Sequence, residues 1–98
     1  MTIESKKDAG KLTLTITGRL DTVAAPKLEE TLKASYNGVT ELVFDLRKLE
    51  YISSAGLRVL LSAQKTMNNQ GSMKVINAGE EIMEIFEITG FSDILTIE

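Results

Sequence analysis

The sequence predicts a single α/β domain over residues 1–98, with a mostly parallel central sheet, an antiparallel hairpin at its N-terminal edge, and helices alternating with strands. Three observations carry this reading. Residues 11–17, Lys-Leu-Thr-Leu-Thr-Ile-Thr, alternate polar and apolar with period two, and threonine suits a pleated, half-exposed strand. Residues 41–46, Glu-Leu-Val-Phe-Asp-Leu, form a nearly continuous apolar run, as expected of a parallel strand covered on both faces. Segments of helical period alternate with such runs through the rest of the chain, which favours right-handed crossovers onto a parallel sheet.

Each element has its own signal. Thr2 to Lys7 alternates weakly, and Asp8-Ala9-Gly10 supplies turn chemistry, so residues 2–17 read as a hairpin whose first strand, with two lysines, suits a sheet edge. Past Gly18, residues 24–36 carry Ala24, Ala25, Leu28 and Leu32 at helical spacing. Pro26 is tolerable only in a first turn and fixes the helix start near Ala24, while Asn37-Gly38 marks its end. The strand over 41–46 follows. From Ser54 to Asn68 the apolar set Leu57, Leu60, Leu61 and Met67 falls on one helical face, with Arg58, Ser62 and Lys65 opposite. A strand over Met73 to Asn77, a helix over Glu80 to Thr89 closed by Gly90, and a short final strand at Leu95 to Ile97 complete the prediction.

Composition narrows the function. A chain of 98 residues buries roughly two-thirds of its unfolded surface in one core. The formal net charge is −3 and the 11 basic residues are dispersed, which argues against nucleic-acid binding, since that needs a concentrated cationic surface. With no cysteine there is no disulfide or thiolate, and with no histidine the usual general base and zinc ligand are gone. The N-terminus lacks an apolar export segment and no run approaches bilayer length. A cytoplasmic protein without membrane insertion, cofactor or metal is the expectation.

Two stretches are candidate sites. Tyr51-Ile52-Ser53-Ser54-Ala55-Gly56-Leu57-Arg58 lies at a strand-to-helix junction, where free N–H groups and the helix dipole favour negative charge. The simplest role is structural, with Ser53 or Ser54 as N-cap and Gly56 permitting close packing. A sharper role is a phosphate acceptor, because a phosphoserine in a first turn gains the dipole and places about −1.5 to −2 charges on the surface. Gly18-Arg19-Leu20-Asp21 sits where the second strand gives way to the first helix. Both loops follow parallel strands and belong at the carboxyl edge of the sheet. Asp45, ending the strand before the serines, is expected near the same edge, so that Asp21, Asp45 and Ser54 could converge. A small hydrolase or phosphotransfer enzyme using these three is one reading, although it lacks both a histidine and a full metal-ligand set.

Taken together, Gly18-Arg19-Leu20-Asp21, the helix carrying Pro26-Lys27-Leu28, Leu42-Val43-Phe44-Asp45-Leu46 and Tyr51 to Leu61 resemble the STAS domain, shared by bacterial anti-sigma factor antagonists and the cytoplasmic tails of sulfate transporters. The resemblance spans essentially the whole chain. Aligning Gly56 with the family glycine places Ser54 on the phosphorylated serine, Ser53 where many members have Asp, and Ala55 where they have a second Ser or Thr. Asp21 and Asp45 match acidic positions near this surface. The resemblance implies a non-enzymatic partner-switching protein that binds an anti-sigma factor which is also a serine kinase. Phosphorylation of Ser54 would end that binding, a serine phosphatase would restore it, and the ATP would belong to the partner. Arg19, Asp21, Ser53, Ser54, Arg58, Ser62 and Lys65 would form the docking surface. A scaffold domain of the same fold that is never phosphorylated is the alternative, which the loss of the acidic neighbour at position 53 keeps open.

Overall fold

The computed structural model describes residues 1–98. The first two strands, β1 (Thr2–Asp8) and β2 (Lys11–Leu20), pair antiparallel in the order Thr2 with Thr17 through Asp8 with Lys11. Ala9, at a φ of 54°, takes the left-handed conformation of the tight turn between them. The predicted hairpin is therefore present, with β1 on the edge of the sheet.

Helix α1 (Ala25–Ser35) starts at the predicted place, with Pro26 in its first turn, where the missing N–H costs nothing. It buries Ala25, Leu28 and Leu32. Strand β3 (Glu41–Asp45) then pairs parallel with the first half of β2, from Lys11 with Glu41 to Thr15 with Asp45. A four-residue strand, β4 (Leu49–Ile52), pairs parallel with the second half of β2, from Gly18 with Leu49 to Leu20 with Ile52. Helix α2 (Ser54–Gln70), strand β5 (Ser72–Ile76) beside β3, and helix α3 (Glu80–Thr89) follow.

One core unites these elements. Leu12, Leu14, Ile16 and Leu20 alternate onto one face of β2, and the buried faces of α1, α2 and α3 join them, with Phe44, Leu60, Met67 and Phe86 among the fully enclosed side chains. The intervening Thr13, Thr15 and Thr17 are only half-buried, so β2 keeps the alternation that its sequence displays. In α2 the buried set is wider than predicted. Val59, Ala63 and Gln64 join Leu57, Leu60 and Met67, whereas Leu61 is only half-buried.

Two expectations fail. The final strand at Leu95 to Ile97 is reduced to one bridge between Ile97 and Val75, and Phe91–Asp93 turns instead as a single 3-10 turn. Leu95 remains buried, so its apolar character serves the core without a ladder. The second stretch, Gly18-Arg19-Leu20, is not a loop: β2 runs through it, and the register of β4 shifts between Gly18 and Arg19. Gly18, at a φ of 92°, supplies the backbone geometry that this irregularity needs.

Candidate functional site at the head of helix α2

The site begins with the pairing of β4 on β2. Leu20 ends β2, and its carbonyl accepts the Ser53 N–H at 2.9 Å, so the chain leaves β4 directly beside the end of β2. Ser53 then caps α2. Its backbone is extended, its Oγ accepts the Gly56 N–H at 3.2 Å, and its carbonyl accepts the Leu57 N–H at 2.9 Å. This satisfies donors that a helix start otherwise leaves free.

The two adjacent serines thus part company. Ser53 is only 8% exposed, and its hydroxyl is engaged in the cap. Ser54, the first helical residue, is exposed and its hydroxyl holds no hydrogen bond within the chain. Gly56 explains why the turn lies so close to the sheet. A Cβ there would stand 2.8 Å from Leu20 Cγ and 2.9 Å from Ile52 Cγ1, closer than packed carbons approach.

Asp21 is held beside this turn. Its Oδ1 accepts the Ala24 N–H at 2.9 Å, and its carbonyl accepts the Ala25 N–H at 2.9 Å, which orders the loop into α1. Arg19 stands over the ring of Tyr51, its cross-strand partner, at 4.3 Å from the centroid, within the range of a cation–π contact. Arg58, Ser62 and Lys65 are all exposed on α2. Arg58 and Ser62 border a groove of about 400 Å³ between α1 and α2, with Pro26 and Ala55 also in its walls. Arg19 and Asp21 border a second opening of about 560 Å³, together with Val23 and Lys27.

Asp45 does not reach this place. It pairs with Thr15, whereas Ile52 pairs with Leu20, and five strand residues separate those positions, about 16 Å at 3.3 Å per residue. Its Oδ1 instead accepts the Arg47 N–H at 3.0 Å and the Asn77 side-chain amide at 3.2 Å, fixing the turn before β4. The three-residue convergence expected of a hydrolase therefore fails, because β4 interposes itself between Asp45 and the serines. No group of three or more acidic residues is placed to hold a metal ion.

Sequence reasoning missed two residues of this surface. Val23 is 88% exposed in the loop between β2 and α1, and Lys27 borders the same opening. The signal for Val23 was present: it is apolar, yet it precedes the helix start and so belongs to no buried stripe. An exposed aliphatic group bordered by charged side chains, Arg19 and Lys27 with Asp21 and Glu50, is the composition of a docking patch. Arg19, Lys27, Arg58 and Lys65 enter no ion pair within the chain.

Known proteins share this framework. Residues 2–98 match the STAS domain. The chain is 31% identical to the anti-sigma-B factor antagonist of Bacillus subtilis strain 168 over 96 residues, covering 97% of this chain and 88% of that protein. Its fold superposes on an anti-sigma factor antagonist from Mycobacterium paratuberculosis with a TM-score of 0.88 at 24% identity, covering 98% of this chain and 83% of the other. The unphosphorylated and phosphorylated forms of the Bacillus protein SpoIIAA give TM-scores of 0.86 and 0.78, each at 14% identity and 99% coverage of this chain, with 88% and 91% of SpoIIAA covered. The chain belongs to the STAS domain family, in the group of anti-sigma factor antagonists, which are non-enzymatic regulators.

Proposed function

We propose that residues 1–98 act as one cytoplasmic partner-switching domain, binding an anti-sigma factor that is also a serine kinase through the face that carries Ser54. The observation that carries this reading is the division of the serines: Ser53 is spent on the cap, and Ser54 offers a free, exposed hydroxyl on the first turn. The partner's ATP would donate its γ-phosphoryl group to Ser54 Oγ, with the hydroxyl proton lost and ADP leaving with the partner. A serine phosphatase would reverse the step by hydrolysis.

The physical basis of the switch is surface charge. The first turn of α2 holds no acidic residue, so a phosphate there faces the positive end of the helix dipole and leaves the fold intact. On docking, however, that dianion must be stripped of water within the contact, a cost of several kcal/mol unless it is paired. Every 1.4 kcal/mol is tenfold in affinity, so one phosphate suffices to release a partner. Arg19, Asp21, Arg58, Ser62 and Lys65 would supply the remaining contacts, Lys65 from about 16 Å along α2 at 1.5 Å per residue, with Ser53 acting from beneath as the cap.

Fragmentation mass spectrometry of the tryptic peptide Leu49 to Arg58, after incubation with ATP and the cognate kinase, tests the assignment. Phosphate on Ser54 is expected; phosphate on Ser53 or Tyr51 would refute the site. Partner retention should survive Ser54→Ala and fall at least tenfold in Ser54→Asp. Equal retention by both, with no phosphate on wild type, would instead establish the constitutive scaffold that Ser53 in place of an acid keeps open.

A further inference from the structure

The acidic face of α3 is untouched by the switch. Of the 14 acidic residues, Glu80, Glu81, Glu84, Glu87, Asp93 and Glu98 all fall in residues 75–98, where there is no lysine or arginine. Only Glu98 among them makes an ion pair, with Lys74 at 3.8 Å. Helix α3 buries Ile82 and Phe86 and turns its glutamates outward. Amid them Ile88 is 78% exposed, and Ile94, past the left-handed Gly90 and beside Asp93 in the chain, is 47% exposed.

This arrangement costs the helix stability. Glu84 has like charges three residues away on either side, at Glu81 and Glu87, and a third four residues back at Glu80, and such spacings repel. Glu87 also lies in the last turn, which has no basic residue, where the dipole disfavours a carboxylate. A helix shaped only for stability would carry lysine there and a polar residue at 88. Exposed aliphatic side chains ringed by unpaired charge of one sign are the composition of an interface that selects an oppositely charged, partly apolar partner.

We infer that the outer face of α3, with Glu84 and Glu87 around Ile88 and with Ile94, is a second docking surface, separate from Ser54, for a basic amphipathic segment of another protein. Charge complementarity fixes the sign of the occupant, and the exposed isoleucines require apolar anchors on it. A second copy of this chain fits less well. Its 11 cations are dispersed through residues 6–74 and none lies on α3, so the contact would run head to tail into a ring or an open polymer.

The test is an NMR titration of the full ¹⁵N-labelled chain at low salt with a synthetic 16-residue peptide bearing lysine and leucine on opposite helical faces. Amide shifts should concentrate at residues 84–94 and leave 53–58 in place, and binding should weaken at least fivefold on raising the salt to 0.3 M. Ile88→Ser and Glu87→Lys should each weaken it at least fivefold, and a control peptide with serine replacing leucine should bind at least tenfold more weakly. Shifts spread over Glu4, Asp8, Glu29 and Glu30 as well, or indifference to Ile88→Ser, would overturn the proposal. So would a protein that dimerises without peptide and loses the dimer on Ile88→Ser. Both α3 variants should still take phosphate at Ser54, which separates failure here from failure of the switch.

Discussion

The Ser54 face and the α3 face carry opposite charge and are held by different means. Residues 1–74 contain all 11 cations and eight of the 14 acids, a net of +3, against −6 for residues 75–98. At Ser54 the backbone sets position: the Leu20 carbonyl holds Ser53, the cap holds Gly56, and the glycine lets the turn touch β2. On α3, buried Ile82 and Phe86, with half-buried Met83 and Ile85 packed beside them, hold a helix whose outer glutamates make no ion pair. The first face is thus intolerant of changes beneath its surface, while the second can alter its outer residues with little effect on the fold.

Phe86→Ala would break that contrast most severely. Phe86 is fully enclosed in the shared core, and removing such a ring costs about 3–5 kcal/mol. At about 4–8 °C per kcal/mol for a domain of this size, the melting temperature should fall by more than 10 °C in one cooperative step, followed by circular dichroism. A separate early transition for α3, with the remainder melting as in wild type, would show that α3 does not share the core's stability.

Gly56→Ala tests the other side. The added methyl meets Leu20 and Ile52 below 3 Å, and overpacking of this kind costs about 1–3 kcal/mol. The urea midpoint should drop with an unchanged slope, and an unchanged midpoint would mean that the head of α2 does not rest on the sheet. Next in size, Ser53→Ala should cost about 1 kcal/mol through loss of the cap, while Ser54→Ala leaves stability within about 0.5 kcal/mol of wild type. Equal losses at the two serines would contradict the division of labour on which the site rests.

Local pattern revealed most of these elements, and pairing decided the rest. Helix α3 spans the residues that its period and Gly90 predict, and α1 begins where Pro26 requires. Both signals lie within a few residues of what they specify. Strand β4 escaped because its burial reads inside, outside, outside, inside, a pattern that the register shift at Gly18 creates and that no period-two reading detects. That omission alone misplaced Asp45: without β4, the strand ending at Asp45 seems to lead straight into the serines. Ser54 could be aligned through Gly56, but the burial of Ser53 depends on the Leu20 carbonyl, 33 residues away in the chain. The exposure of Ile88 was equally hidden, since a glutamate-rich helix with isoleucines reads as one polar and one apolar face, and only the packing shows which isoleucine lies on the wrong one.

The smallest effect discriminates most finely between the two faces. In Glu87→Lys the repulsion from Glu84 becomes an attraction at three-residue spacing, and the last turn gains a cation that suits the dipole. Stability should rise by about 0.5 kcal/mol, or about 2–4 °C in melting temperature, measured at low salt, with the gain shrinking as salt screens it. The same substitution should weaken binding of the basic peptide and leave phosphorylation of Ser54 as it was. A stabilising change that costs binding is what a surface maintained for recognition predicts. If Glu87→Lys stabilises the chain and peptide affinity does not move, the glutamates of α3 are a solvated helix face and the second docking surface does not exist.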